Sequence, residues 1–356
     1  MLAEKNNYSI KAVDLFCGAG GLTYGLQRSG VDVVAGYDIE ASCKYAFEHN
    51  NNAVFFEQDV RELSGDDIKK HFHGADYSLL AGCAPCQPFS TYSRRKQKSN
   101  VEDNRWNLLA SFGHLVSLVK PDFVTMENVP GLASEQVYSD FLTTLSKTGY
   151  SVDYAVVYCP DYGMAQTRKR LVLVASRLSD IKLLSPTHNA QSYSTVRDVI
   201  EHLPKLAAGE TCKKDVLHRA SILSDINLQR IKASLPGGTW LDWPEELRAS
   251  CHKKSSGSTF SSVYGRMSWD DLAPTITTQC NGYGNGRFGH PEQDRAISLR
   301  EAAMLQSFPE TYQFHRDGDK FSIAALAKMI GNAVPVRLGE VVGESIYQSI
   351  SSIPKN

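Results

Sequence analysis

Two cysteines three residues apart pose the first chemical question. Residues 82–90 read GCAPCQPFS, which sets Cys83 and Cys86 in a C-x-x-C frame with Pro85 and Pro88 around the second. Three chemistries fit that frame: a redox pair, half of a zinc site, or one nucleophile beside a bystander. A redox pair needs its first cysteine at a helix N-terminus and its second inside the helix. Here the following residues, QPFSTYSRRKQKSN, read as loop. A structural zinc site wants four ligands, usually as two spaced pairs. His71 and His73 lie upstream in a polar connection, and the chain has no second C-x-x-C, so no metal is expected. A nucleophile asks for one thiol held by stiff neighbours near positive charge that favours the thiolate. Pro85 and Pro88 stiffen the peptide around Cys86. QTRKR at 166–170 supplies charge, and MENV at 126–129 places Glu127 at a strand end as an acid–base partner.

A second set of residues suits a ligand. DLFCGAGGLTYGL (14–26) reads as strand, glycine turn and helix, the place of a Rossmann-like nucleotide loop. Gly18, Gly20 and Gly21 let backbone approach a ligand closely. The P-loop pattern is absent, which disfavours a nucleoside triphosphate. Asp38 ends the next apolar run, where a carboxylate accepts hydrogen bonds from ribose hydroxyls. Asp59, in FFEQDV, is in position to reach an adenine amino group. Each is also an ordinary turn former at a strand end. Together they suggest an adenosine-type ligand, with or without phosphates.

These residues need a scaffold, and the first half of the chain offers one. Apolar runs over 10–16, 31–38, 53–56, 77–82, 121–128, 151–158 and 170–176 alternate with helical periodicity over 22–30, 41–50, 106–120 and 139–149. Alternating strands and helices predict an α/β fold with a mainly parallel sheet and helices on both faces. After about residue 184 the rhythm breaks. Residues 185–290 are rich in Ser, Thr, Pro, Gly and His and slightly basic, as in a separate loop-rich module. Helical signals return in SLREAAMLQSF, FSIAALAKMIGN and VRLGEVVGESIYQSI. The expected organisation is 1–184 as the catalytic and cofactor-binding domain, 185–318 as the small module, and 319–356 as helices returning to the first domain.

Composition narrows the class. The chain has 356 residues, 42% hydrophobic and 22% charged, with formal net charge −1. That is globular composition, with no apolar run of membrane length and no signal-peptide pattern at the start. Eight cysteines scattered through a long chain fit reduced thiols in a cytoplasm. A wholly basic nucleic-acid binder is excluded, but the local clusters RRKQK, RKR, KK and HKK are not. Any one of them alone reads as a solvated face.

Taken in order, DLFCGAGGL, GCAPCQPFS, ENV, QTRKR, RAISLREAAMLQSFP and GNAVPV resemble the motif series of the C5-cytosine DNA methyltransferases. The resemblance covers about 1–184 and 290–345, and the middle segment falls where that family keeps its target-recognition module. It implies a Rossmann-like S-adenosylmethionine-dependent methyltransferase domain with a smaller, loop-rich target-recognition domain. It implies that Cys86 adds to C6 of a cytosine, that Glu127 engages N3 and the exocyclic amine, and that Arg168 holds the base carbonyl with Arg170 beside it. Phe16, Gly18, Ala19, Gly20, Gly21, Asp38, Ile39, Asp59, Val60 and Pro85 correspond to the cofactor pocket, with Asn332 and Val334 closing it. The base must leave the stack to be reached. Tyr92, or the basic residues Arg94, Arg95 and Lys96, would fill the gap or hold phosphates.

Two departures stand out: Ala84 replaces a frequent proline, and Met304 a frequent arginine. Neither removes a catalytic group. The glycine-rich NGYGNGRFG (281–289) fits a recognition loop, with Arg287 as a DNA contact, and fits an ordinary hairpin turn equally well. The expected substrates are S-adenosylmethionine, leaving as S-adenosylhomocysteine, and double-stranded DNA with a specific cytosine target. A monomer is expected. The compact length points to a prokaryotic or viral-type enzyme, with a cognate restriction endonuclease as a candidate partner. The alternatives are an RNA (tRNA) cytosine methyltransferase, whose CFT signature is absent, and a non-catalytic DNA-binding accessory subunit.

Overall fold

A computed structural model describes residues 8–85, 106–254, 261–316 and 318–353. Seven strands among them form one sheet: β1 (Ile10–Leu15), β2 (Asp32–Asp38), β3 (Val54–Glu57), β4 (Tyr77–Gly82), β5 (Phe123–Asn128), β6 (Ser151–Tyr158) and β7 (Lys169–Ser176). Their order across the sheet is β3-β2-β1-β4-β5-β7-β6. β1 to β5 pair in parallel, while β7 runs antiparallel to both β5 and β6. The reason lies in the connections. Each parallel crossover carries a helix, whereas β6 returns into β7 through residues 159–168 with only a 3₁₀ turn at Cys159–Tyr162. The expected α/β fold is thus Rossmann-like with one reversed strand near the sheet's edge.

Central strands bury both faces, so they are continuously apolar rather than alternating. Every residue of FVTMEN in β5 is buried. The helices then split between the two faces. α1 (Gly21–Arg28), α2 (Lys44–Asn50), α3 (Gly65–Lys69), α4 (Trp106–Val119) and α5 (Gln136–Lys147) fill the crossovers. On one face Leu15, Leu80, Val124 and Leu173 meet Ile68 of α3, Phe112 of α4 and Phe141 of α5. Full burial of each such side chain contributes about 1.5–3 kcal/mol.

Residues 185–318 hold α6 (Val196–Ile200), α7 (Asp225–Lys232) and α8 (Leu299–Leu305), and α9 (Ile323–Asn332) and α10 (Val336–Ser351) follow. α10 covers the second sheet face with α1: Leu338, Val341 and Ile346 pack with Leu22, Leu26, Leu79 and Phe123. Its N-terminus is close enough to α1 that a Cβ at Gly25 would lie 2.1 Å from the Val336 carbonyl oxygen. Residues 297–314 share a core with Cys17, Ala19 and Phe47 of the first domain. Tyr312 Oη donates to the Ala19 carbonyl at 2.5 Å. A separate core, with Trp240, Trp243 and Tyr283 packed on Ile231 and Ala296, lies within residues 231–296.

Candidate active site

The chain direction turns outward on both sides of the β1–β4 pair, since β2 and β3 extend one way and β5 the other. Ligands in open α/β sheets bind outside the carboxyl ends of the strands at such a point. The glycine turn leaves β1 there, and the cysteine turn leaves β4 beside it.

On the β4–β5 side, Gly82 is in register with Met126. The next residues, Cys83 just beyond β4 and Glu127 near the end of β5, therefore lie at one level. The Cys83 thiol donates to Glu127 Oε2 at 3.0 Å. Glu127 is 5% exposed, so its carboxyl sits in a nearly closed site. β7 brings the cation: Asn128 pairs with Leu171, and Arg170 one residue earlier sets its Nε 2.9 Å from Glu127 Oε1. That approach lacks hydrogen-bond angles, since Oε1 has no hydrogen-bond partner. The pair attracts by charge while the lone pairs of Oε1 stay available.

Arg168 behaves differently. It is 2% exposed, and its guanidinium donates Nη1 to the Ile276 carbonyl at 3.1 Å and Nη2 to the Ala333 carbonyl at 3.2 Å. Burial, then the charge of Arg170, pushes its pKa down to about 9, which still leaves it protonated at neutral pH. The structure brings Arg170, not Arg168, against Glu127 within the QTRKR segment. Gln166, which the sequence reading did not single out, is fully buried and anchors the segment. Its Nε2 donates to the Leu305 carbonyl at 2.7 Å and to Gln306 Oε1 at 2.8 Å. A buried amide with all its neighbours distant in sequence has no local signal.

Cys86 lies outside the described residues, as do Tyr92, Arg94, Arg95 and Lys96. Four of the other cysteines are buried, which disfavours their thiolates. Burial pushes Cys43, Cys159 and Cys280 up to about 12, and Cys17 well above its ordinary value. Among the described residues no group of three or more His, Cys, Asp or Glu could hold a metal ion. Nor is any described helix long and apolar enough to cross a membrane.

On the β1–β2 side, Phe16 takes a left-handed φ of 58° and turns the chain off the strand. The Gly18 N–H donates to Asp38 Oδ2 at 2.9 Å, and a Cβ built on Gly18 would meet nothing within 4 Å. There is open space beside that turn. Ile39, next to Asp38, is 70% exposed, an apolar surface at the rim of a carboxylate. Burial raises the Asp38 pKa. Gly20 and Gly21 also let neighbouring elements pack closely: a Cβ there would come within 2.5 Å of Asn51 Nδ2 and 2.3 Å of the Val334 carbonyl oxygen, respectively. Ala19 is buried, and Val334 is buried against the second sheet face. Val60 is buried on the opposite face. Pro85 and Asn332 are exposed at their turn and helix end.

Asp59 caps the turn that begins at Val60, and Arg61 Nε reaches both its carboxylate oxygens at 3.0 Å. Arg61 holds the carboxyl below its usual range. A second buried carboxylate was overlooked: Asp14, 1% exposed, accepts from Thr23 Oγ1 at 2.7 Å through Oδ2, while Oδ1 has no partner. Its only sequence signal is an acid inside an apolar strand.

In the small module, Tyr283 anchors the glycine-rich loop. Its hydroxyl and Trp243 Nε1 both lie 2.8 Å from Ser234 Oγ. Tyr264 and Trp243 stack edge to face, with Arg230 over both rings. Arg287 is half-buried, and its Nε has no hydrogen-bond partner.

Comparison with known proteins identifies the family of the chain. A sequence model of the C-5 cytosine-specific DNA methylases matches residues 10–348. The Type II methylase M.HgiDII of Herpetosiphon aurantiacus is 50% identical over 344 residues, covering 96% of each chain. The Type II methyltransferase M1.HphI of Haemophilus parahaemolyticus is 31% identical, covering 96% of this chain and 87% of its own. A solved prophage-encoded DNA modification methyltransferase candidate of E. coli superposes with TM-score 0.74 at 23% identity, over 97% of this chain and all of the other. Matched along nearly its whole length, this chain belongs to the C-5 cytosine-specific DNA methylase family.

Proposed function

We propose that this chain transfers a methyl group from S-adenosylmethionine to C5 of a cytosine within a specific double-stranded DNA sequence. The observation that carries the reading is Glu127, buried at the C-terminal edge of β5, charge-paired with Arg170, and one strand away from the turn that leads to Cys86. A family whose relatives are Type II methylases supports the DNA substrate and suggests a cognate endonuclease as partner.

The residues divide the chemistry. The Cys86 thiolate adds to C6 of a base turned out of the stack. Glu127 holds N3 and the exocyclic amine, so that the displaced electron pair builds up at C5. Arg170, beside Glu127, balances the negative charge that develops on the ring side and is the better placed arginine for the base carbonyl. Arg168 acts as a strut between the small module and the turn after α9. C5 takes the methyl group that S-adenosylmethionine supplies. Loss of the C5 proton then expels the thiolate and restores the ring.

Gly18, Asp38 and Ile39 fit the adenosine end: open space beside a glycine, a carboxylate for ribose hydroxyls, and an apolar surface for the base. Phe16, Ala19, Gly20, Gly21, Val60, Pro85, Asn332 and Val334 complete that pocket in this reading. Asp59 would meet the adenine amino group on the side away from Arg61. Residues 185–318 read the DNA sequence, with the Arg287 loop as one contact.

The test is incubation with duplex DNA and labelled S-adenosylmethionine, followed by trapping on 5-fluorocytosine DNA. Wild type should transfer label and form a covalent adduct, and Cys86→Ser should do neither. Full transfer by Cys86→Ser, or transfer to tRNA in place of duplex DNA, would overturn the reading.

A further inference from the structure

We infer that Cys83 is a positioning residue for Glu127, the first cysteine of the C-x-x-C frame serving the carboxylate rather than the second cysteine. The inference rests on the reading of Glu127 given above.

Three observations carry it. First, the register of β4 on β5 places Cys83, just beyond β4, and Glu127 of β5 at one level, and the thiol reaches Oε2 at 3.0 Å. Second, among the described residues this thiol is the hydrogen-bond donor that Glu127 has: the approach of Arg170 to Oε1 brings charge without a hydrogen bond. Third, the site is nearly closed to water, with Glu127 5% exposed and Arg168 2% exposed, so solvent cannot replace a missing donor freely. Cys83 also packs with the second-face core, which restrains where its sulfur points.

The division of labour follows from the geometry. A carboxylate on a strand end rotates about its terminal bond unless something holds one oxygen. The thiol holds Oε2, so Oε1 is presented beside Arg170 with its lone pairs open. A thiol suits this task because it is a weak donor. It sets the orientation without binding so strongly that the carboxyl is lost to the base. A carboxylate buried with no donor at all would be free to swing onto Arg170 and close a full salt bridge, which would withdraw it from cytosine.

The experiment uses the full chain and four proteins: wild type, Cys83→Ala, Cys83→Ser and Glu127→Gln. The readouts are kcat, KM for duplex DNA, S-adenosylmethionine binding, thermal melting, and the rate of adduct formation on 5-fluorocytosine DNA. Cys83→Ala should lower kcat and the adduct rate together by about tenfold, the weight of one weak donor to a charged group. KM for DNA and S-adenosylmethionine binding should stay within twofold of wild type. Cys83→Ser, which restores a donor, should recover most of the loss.

An unchanged or raised kcat in Cys83→Ala overturns the inference. So does a fall in kcat that Cys83→Ser shares in full, since that would mark a packing role. Should Cys83→Ala fail to fold, Cys83→Ser decides alone: near wild-type kcat supports the hydrogen bond, and a loss as deep as that of Glu127→Gln overturns it. Glu127→Gln keeps the two readings apart. If it retains full methyl transfer, the role of Glu127 itself fails. If it is inactive while Cys83→Ala is unaffected, only the role of Cys83 fails.

Discussion

Arg170 sets its Nε 2.9 Å from Glu127 Oε1, while Arg168, two residues earlier, turns away to the carbonyls of Ile276 and Ala333. Two arginines in one short motif therefore have separate work. Arg170→Ala should lower kcat about a hundredfold with a smaller loss of stability than Arg168→Met, because Arg170 is 14% exposed and makes no hydrogen bond to Glu127. Arg168→Met should instead lower stability by about 3 kcal/mol, since it leaves two buried carbonyls without donors. Methyl-transfer assays and urea unfolding on both variants separate these roles. Equal stability with equal loss of activity would refute the distinction.

Asp14 gives the fold a pH dependence of its own. Burial pushes its carboxyl up to about 7 from an ordinary 3.8, with the Thr23 hydrogen bond opposing and the Asp38 charge adding. Between those values the folded chain keeps a proton that the unfolded chain releases. The contribution of Asp14 to stability is thus greatest below about pH 4, declines as pH rises, and levels off above about pH 7. Asp14→Asn keeps an acceptor for Thr23 and has no proton to lose. It should remove about 2–3 kcal/mol of the stability loss between about pH 5 and pH 8. Parallel pH curves for the two proteins, measured by chemical unfolding, would count against this.

The α1–α10 contact depends on the absence of a side chain. A Cβ at Gly25 would stand 2.1 Å from the Val336 carbonyl oxygen and 2.8 Å from Gly339 Cα. Both are backbone atoms of a helix that covers the sheet, and neither can rotate aside. Gly25→Ala should destabilise the protein by about 3 kcal/mol. Ser29→Ala, on the same helix pair but losing only a hydroxyl, serves as the mild control. A wild-type melting temperature for Gly25→Ala would show that the helices can part.

The loop over 281–289 offers a test of DNA contact. Arg287 is half-buried, with an Nε that lacks a hydrogen-bond partner, and Tyr283 pins the loop to the aromatic core through Ser234. Arg287→Ala should weaken binding of cognate duplex about tenfold and leave S-adenosylmethionine binding unchanged. Gel-shift titration at fixed salt measures the first and calorimetry the second. Unaltered DNA affinity would return the loop to the role of an ordinary turn.

Local information in the sequence was enough for the seven strands, for every helix but the short α3, α6 and α7, and for the motif series. Apolar runs and 3.6-residue periodicity depend on neighbours in the chain, and β4, β6 and the start of α10 fall where those patterns put them. Glu127 at a strand end and the glycine turn before α1 were legible for the same reason. What needed the tertiary structure is who faces whom. Cys83 reads as a small filler until the register of β4 on β5 sets it against Glu127. Asp14 and Gln166 gain meaning only from partners that the fold brings in. Arg168 and Arg170 differ because Arg168 ends a tight turn over 166–168, whereas Arg170 already lies in β7. The Arg168 N–H donates to the Gln166 carbonyl at 2.8 Å, and Gln166 bridges to Ala273 in the small module before β7 joins β5 at Leu171. A two-residue spacing carries side chains to one face only along an unbroken strand, and here the strand begins between them.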